Sequence, residues 1–127
     1  MACAKELEEK FPFMDMKRVG MWGNSGGGYG TVSAMLLYPD FYKAGVASSG
    51  NYDQRMYEHS WTERYNGLYD PEVYELNKYN KDYDLMVLPR MNHNVPSDLY
   101  FIRRKMDFFV RHLLGEEPPS EFKFVCM

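Results

Sequence analysis

Gly23-Asn24-Ser25-Gly26-Gly27 reads GxSxG, and its residue types and spacing suit covalent chemistry. A serine flanked by glycines fits a turn so sharp that larger neighbours would clash, and such a turn lifts the hydroxyl above the end of a sheet. A helix starting directly behind it would aim free N–H groups and the positive end of its dipole at the place where an oxyanion develops. The Gly26 N–H would be one oxyanion donor. Together these features suit acyl transfer through Ser25. Phosphate binding is the competing use of a glycine-rich turn. The Walker pattern fails, because Tyr29 follows Gly28 where lysine is needed, and no three glycines have GxGxxG spacing. A plain tight turn with a capping serine remains as the alternative.

The elements that must position this turn can be read on either side of it. Arg18 to Trp22 is a short apolar strand. Tyr29 to Tyr38 has helical spacing through Val32, Met35 and Leu36, and stops at Pro39-Asp40. Ala44 to Ser48 is a second short strand of small side chains. Strand, helix, strand in that order makes a parallel crossover unit. Before it, Ala4 to Lys10 is a helix of strong helix formers ended by Phe11-Pro12. After it, residues 51–80 are polar and aromatic without a clear period, apart from a helical turn at Trp61 to Tyr65. Tyr83 to Pro89 reads as a third strand. Asp98 to Leu114 reads as a helix with Leu99, Ile102, Met106, Phe109, Val110 and Leu113 on one face, capped by Gly115 and stopped by Pro118-Pro119. The expected fold is α/β, with a small parallel sheet of about three strands flanked by helices. Residues 1–127 would form one domain.

Composition narrows the function classes. The 127 residues carry a net charge of −3, which leaves no basic footprint for nucleic acid. Hydrophobic residues make up 45% and charged residues 26%, the balance of a globular chain rather than a disordered one. The 17% aromatic content points to a thick core, an aromatic-lined pocket, or both. No apolar run approaches the ~20 residues that cross a bilayer, and no signal peptide is expected, so localisation stays open. Cys3 and Cys126 sit near opposite ends, and no CxxC, HExxH or other metal-ligand spacing occurs. Neither a metal nor a cofactor is expected.

At the serine turn the chain also becomes recognisable. The stretch RVGMWGNSGGGYGTVSAMLLYPDFYKAGVASSGNYDQR resembles the serine-elbow region of the prolyl oligopeptidase family, in particular its dipeptidyl-peptidase IV branch. The similarity continues through Trp61-Thr62-Glu63-Arg64-Tyr65-Asn66-Gly67-Leu68. It resumes at Asp82 to Pro89, passes Asn92-His93 and ends in the helix from Tyr100 to Leu114.

The resemblance implies an α/β-hydrolase catalytic domain in shortened form. Ser25 matches the acylating serine, and His93 matches the general base in the loop ahead of the last helix. Taken alone, an Asn-His in a loop is more often structural or solvated. His59 and His112 match no such position. Tyr57 and Trp61 match aromatic positions lining the pocket for the residue before the scissile bond, although two aromatics four apart on a helical turn also suit a core. Gly26 stands where proline-preferring members often carry Tyr, which would widen the pocket on that side.

Measured against the family, a strand, an Asp-bearing loop and a helix are missing between the pocket segment and the strand at Leu85. Asp53, Asp70, Asp82 and Asp84 are poor replacements for the triad acid. The first half of the hydrolase sheet, with its second oxyanion donor, has no counterpart either. Loss of the acid lowers turnover about 10⁴-fold in the well-studied serine-protease case, and loss of one oxyanion donor costs about 10²–10³. The expectation is therefore a serine peptidase site impaired towards amides, acting on a peptide or ester. The strand at Arg18 to Trp22 would be left as an open edge inviting a second copy or a complementing chain. A non-catalytic hydrolase remnant acting by self-association or docking is the alternative.

Overall fold

The computed structural model describes residues 2–52, 64, 83–89, 91–122 and 124. Helix α1, Ala2–Lys10, ends where Phe11 N–H donates to the Leu7 carbonyl at 2.8 Å, and Pro12 prevents a further turn. None of its residues is buried. Asp15 then organises the approach to the sheet. Its carboxylate accepts from the Lys17 N–H at 2.9 Å and from Arg18 Nε at 2.6 Å. The bonds from Arg18 and Lys17 hold the Asp15 carboxyl below its usual pKa.

The centre of the fold is a β–α–β unit. Strand β1, Val19–Asn24, pairs in parallel with β2, Tyr42–Ser48, and helix α2, Gly26–Leu37, connects them. The register runs from Gly20 opposite Ala44 to Asn24 opposite Ser48, with one irregularity between Val19 and Gly20. Helix α2 begins three residues earlier than the apolar spacing predicts, because Gly26, Gly27 and Gly28 carry no periodic signal. Glycine is a poor helix former by about 1 kcal/mol per residue, so tertiary packing must hold this first turn. Thr31 provides part of it: the residue is buried and its Oγ1 donates to the Gly27 carbonyl at 2.8 Å.

Two helices cover opposite faces of the strand pair. Gly45 of β2 lies under Met35 and Thr31 of α2, and any added Cβ would meet the Met35 side chain at 2.9 Å. Gly20 of β1 lies under Phe109 and Leu113, from helix α3 (Leu99–Phe109) and the wider π-helical turn Val110–Leu114 that extends it. The arrangement is three layers, helix on sheet on helix. Asp98 caps α3 by accepting from the Phe101 N–H at 2.8 Å, and Gly115, at φ 71, closes the far end in the left-handed conformation. Arg103 on α3 pairs with Asp107 at 2.7 Å and also donates to the carbonyls of Pro119 and Phe122, which ties the following segment back onto the helix.

Two expectations change. Tyr83 to Leu88 is not a strand: among the described residues the sheet has two strands, and Leu85 and Val87 are 76% and 73% exposed. An apolar run signals a demand for burial, but α2 and α3 already cover the strand pair and no described element covers this segment. The inward face of α3 also differs. Phe101 and Lys105 are buried on it, while Leu99 and Met106 are exposed. Lys105 lays its stem on the sheet, with Nζ 3.4 Å from the centre of the Trp22 ring, so an amphipathic side chain takes a place that apolar spacing assigned elsewhere. Burial pushes the Lys105 ammonium below its usual pKa.

Candidate active site

Ser25 occupies the single residue between the end of β1 and the start of α2. Its backbone is left-handed, φ 57 and ψ −122, a conformation that is costly for a residue with a Cβ and that concentrates at functional sites. The turn is held on both sides. Ser25 N–H donates to the Ser48 carbonyl at 2.9 Å, and the Ser25 carbonyl accepts from the Tyr29 N–H at 3.1 Å. One residue earlier, Asn24 Oδ1 accepts from the Ser48 hydroxyl at 2.8 Å. The elbow is therefore pinned to the ends of both strands.

The glycines beside it have different duties. A Cβ on Gly23 would run into the Gly27 backbone, and one on Gly28 would stand 2.6 Å from the Ser48 carbonyl oxygen. Around Gly27 itself the space is open.

The Ser25 side chain makes no capping hydrogen bond to α2, which removes the plain capping turn as an explanation of this serine. The Gly26, Gly27 and Gly28 amides precede the first intrahelical bond, so none has a partner within the helix. No acidic residue stands in that first turn to neutralise the dipole. Ser25 is half-buried and Gly26 exposed, so a substrate carbonyl can approach both. Chemically, this is a hydroxyl beside a set of N–H donors that favour negative charge.

His93 is exposed in the stretch before the short turn Val95–Ser97, and among the described residues it makes no hydrogen bond to Ser25 and none to a carboxylate. Asp84 is exposed as well. Tyr57 and Trp61, with Asp53, Asp70 and Asp82, lie outside the described residues. Sequence reasoning missed Asn24 and Ser48, which hold the elbow. The only signal was a run of small polar residues, Ser48-Ser49-Gly50, at a strand end where apolar residues usually close the core. Tyr52 follows that run, packs its ring over Gly50, and has its phenol pushed above the usual tyrosine pKa by burial, against a hydrogen bond from Gly50. Among the described residues no group of three or more His, Cys, Asp or Glu could hold a metal ion. No helix among them is long and apolar enough to cross a membrane.

Comparison with known proteins decides which family this elbow represents. Residues 1–80 match the prolyl oligopeptidase family, which is more than half of the chain and includes the whole β–α–β unit. The chain belongs to that family. Within it, the chain is 40% identical over 75 residues to venom dipeptidyl peptidase 4 of Vespa velutina, covering 57% of this chain and 9% of the relative. Against the Vespula vulgaris venom dipeptidyl peptidase 4 it is 39% identical over 80 residues, covering 61% of this chain and 10% of the relative. Against dipeptidyl peptidase 4 of Bos taurus it is 38% identical over 63 residues, covering 50% and 8%. The chain thus spans about a tenth of the length of these curated relatives. No solved structure matches. Family membership makes this a serine-peptidase-like chain on an α/β framework, and the matched residues include Ser25 and stop before His93.

Proposed function

We propose that this chain carries the acylating centre of a serine peptidase, with Ser25 as nucleophile, His93 as general base and the Gly26 amide as oxyanion donor. The observation that carries the reading is the left-handed, uncapped Ser25 at the N-terminus of α2. Ser25 Oγ attacks the substrate carbonyl carbon, and its proton passes to the His93 imidazole. The negative charge that forms on the carbonyl oxygen meets the helix N-terminus. As the carbonyl re-forms, the amine or alcohol leaves with the proton held by His93, and water then hydrolyses the acyl-serine by the same route in reverse. By the family resemblance, Tyr57 and Trp61 are assigned to the pocket on the acyl side. The mechanism uses no metal or cofactor.

Substrate class follows from the base. By the family resemblance the loop that carries the triad Asp is missing, and loss of that acid is worth about 10⁴ in turnover in the serine-protease case. Activated esters have better leaving groups than peptides and tolerate that defect, so esterolysis exceeds peptide cleavage. A second polypeptide surface, either a second copy or a complementing chain along the sheet edge that the described residues leave uncovered, would bring the acid and raise peptide cleavage.

Labelling by a fluorophosphonate probe tests the reading, with wild type beside Ser25→Ala and His93→Gln. The expected result is one labelled serine, no label on Ser25→Ala, and labelling of His93→Gln slowed about 10²–10⁴-fold. A folded wild type that takes no label, or label that persists on Ser25→Ala, overturns it.

A further inference from the structure

Ser48 ends β2 opposite Asn24 and is 8% exposed, yet its hydroxyl and its carbonyl are both directed at the elbow. Its hydroxyl donates to Asn24 Oδ1 at 2.8 Å, and its carbonyl accepts from the Ser25 N–H at 2.9 Å. A buried hydroxyl costs free energy unless it is paired, and a small apolar residue would close this strand end without needing a partner. The hydroxyl therefore has a polar task, and the contact it makes is to the residue before Ser25. Gly28 of α2 passes so close to the same carbonyl that a Cβ there would stand 2.6 Å from its oxygen, so only glycine fits beside it. The chain leaves Ser48 through Ser49, itself left-handed at φ 49. Two strained serines thus flank one hydrogen-bonded clamp.

We infer that Ser48 is a positioning residue for the nucleophile. Its side chain fixes Asn24 and its carbonyl fixes the Ser25 amide, so the left-handed Ser25 backbone is held from two directions. Any consequence for chemistry rests on the reading of Ser25 as nucleophile, but the clamp itself is measurable without it.

The test is amide hydrogen exchange by NMR together with fluorophosphonate labelling, on wild type, Ser48→Ala, Asn24→Ala, the double variant and Ser48→Thr. Removing either partner should speed exchange of the Ser25 amide about five- to tenfold relative to the other protected amides of β1 and β2. The double variant should add nothing beyond either single one, because the two residues share one bond. Ser48→Thr keeps the hydroxyl and restores protection. Labelling of Ser25 slows and recovers in step. Unchanged Ser25 exchange overturns the inference, as does equal acceleration across both strands, which would mean general support of the sheet. If Ser48→Ala does not fold, half-buried Asn24→Ala decides alone. A folded wild type that takes no label ends the nucleophile reading, while the exchange ratios still decide the role of Ser48.

Discussion

A Cβ on Gly23 would stand 2.9 Å from the Gly27 Cα and closer still to its carbonyl, so strand and helix meet backbone to backbone across Ser25. This contact sets the sharpness of the turn. It also makes the two glycines of GxSxG unequal, since a Cβ on Gly27 would meet nothing within 4 Å.

Gly23→Ala therefore forces β1 and α2 apart at the nucleophile, where backbone cannot yield as a side-chain tip would. The expected cost is about 1–3 kcal/mol, the range for overpacking. Gly27→Ala gains helix propensity of up to about 1 kcal/mol and meets no clash. Urea unfolding of the two variants should move the midpoint in opposite directions. Equal losses would mean that the turn relies on both glycines alike.

Lys105 gives a pH-dependent prediction. Burial lowers its pKa from 10.5, so the unfolded chain holds this proton more tightly than the folded one. Its contribution to stability then rises with pH between the lowered folded value and 10.5, and levels off beyond. Lys105→Met keeps the packing and removes the titration. The stability of Lys105→Met relative to wild type should be greatest near neutral pH and shrink towards pH 10.5. Trp22→Leu strips the ring from beneath the ammonium and should cost about 1–3 kcal/mol from lost area and lost cation–π attraction. A stability difference between Lys105→Met and wild type that stays constant with pH would contradict the sign.

How much of this was legible in the sequence depended on whether a residue's role was local. Ser25, both strands beside it and the Gly115 cap follow from neighbours in the chain: glycine spacing, short apolar runs and a helix stop. The clamp from Ser48 to Asn24 joins residues 24 positions apart, and nothing local marks it. The inward face of α3 was misread for a related reason. Spacing ranks Lys105 as a surface residue, and only the position of the Trp22 ring makes its stem a cover for the sheet. Strand formation at Tyr83 to Leu88 failed as an expectation because composition reports a preference for burial and cannot supply a partner edge.

Asp98 tests whether α3 depends on its cap. The carboxylate accepts from Phe101 N–H at 2.8 Å, and Phe101 is the most buried aromatic of the helix. Asp98→Ala should cost about 1 kcal/mol, within the usual range for a lost N-cap, and Asp98→Ser should recover most of it. Thermal unfolding at neutral pH checks both. No change in Asp98→Ala would mean that packing of Phe101 alone sets the start of the helix.

Leu85 and Val87 separate the observed fold from a three-stranded one. Both side chains are exposed, so lysine at either place removes no buried area and leaves no cavity. Leu85→Lys with Val87→Lys should hold stability within about 0.5 kcal/mol of wild type, as for surface substitutions away from special features. In an interior strand the same pair would bury two charges and cost several kcal/mol, enough to unfold a small domain. Two lysines on an apolar segment that pairs with no strand among the described residues also oppose strand-to-strand association. Urea unfolding and sedimentation of the double variant read both effects, and unfolding of the monomer would place these residues in a sheet after all.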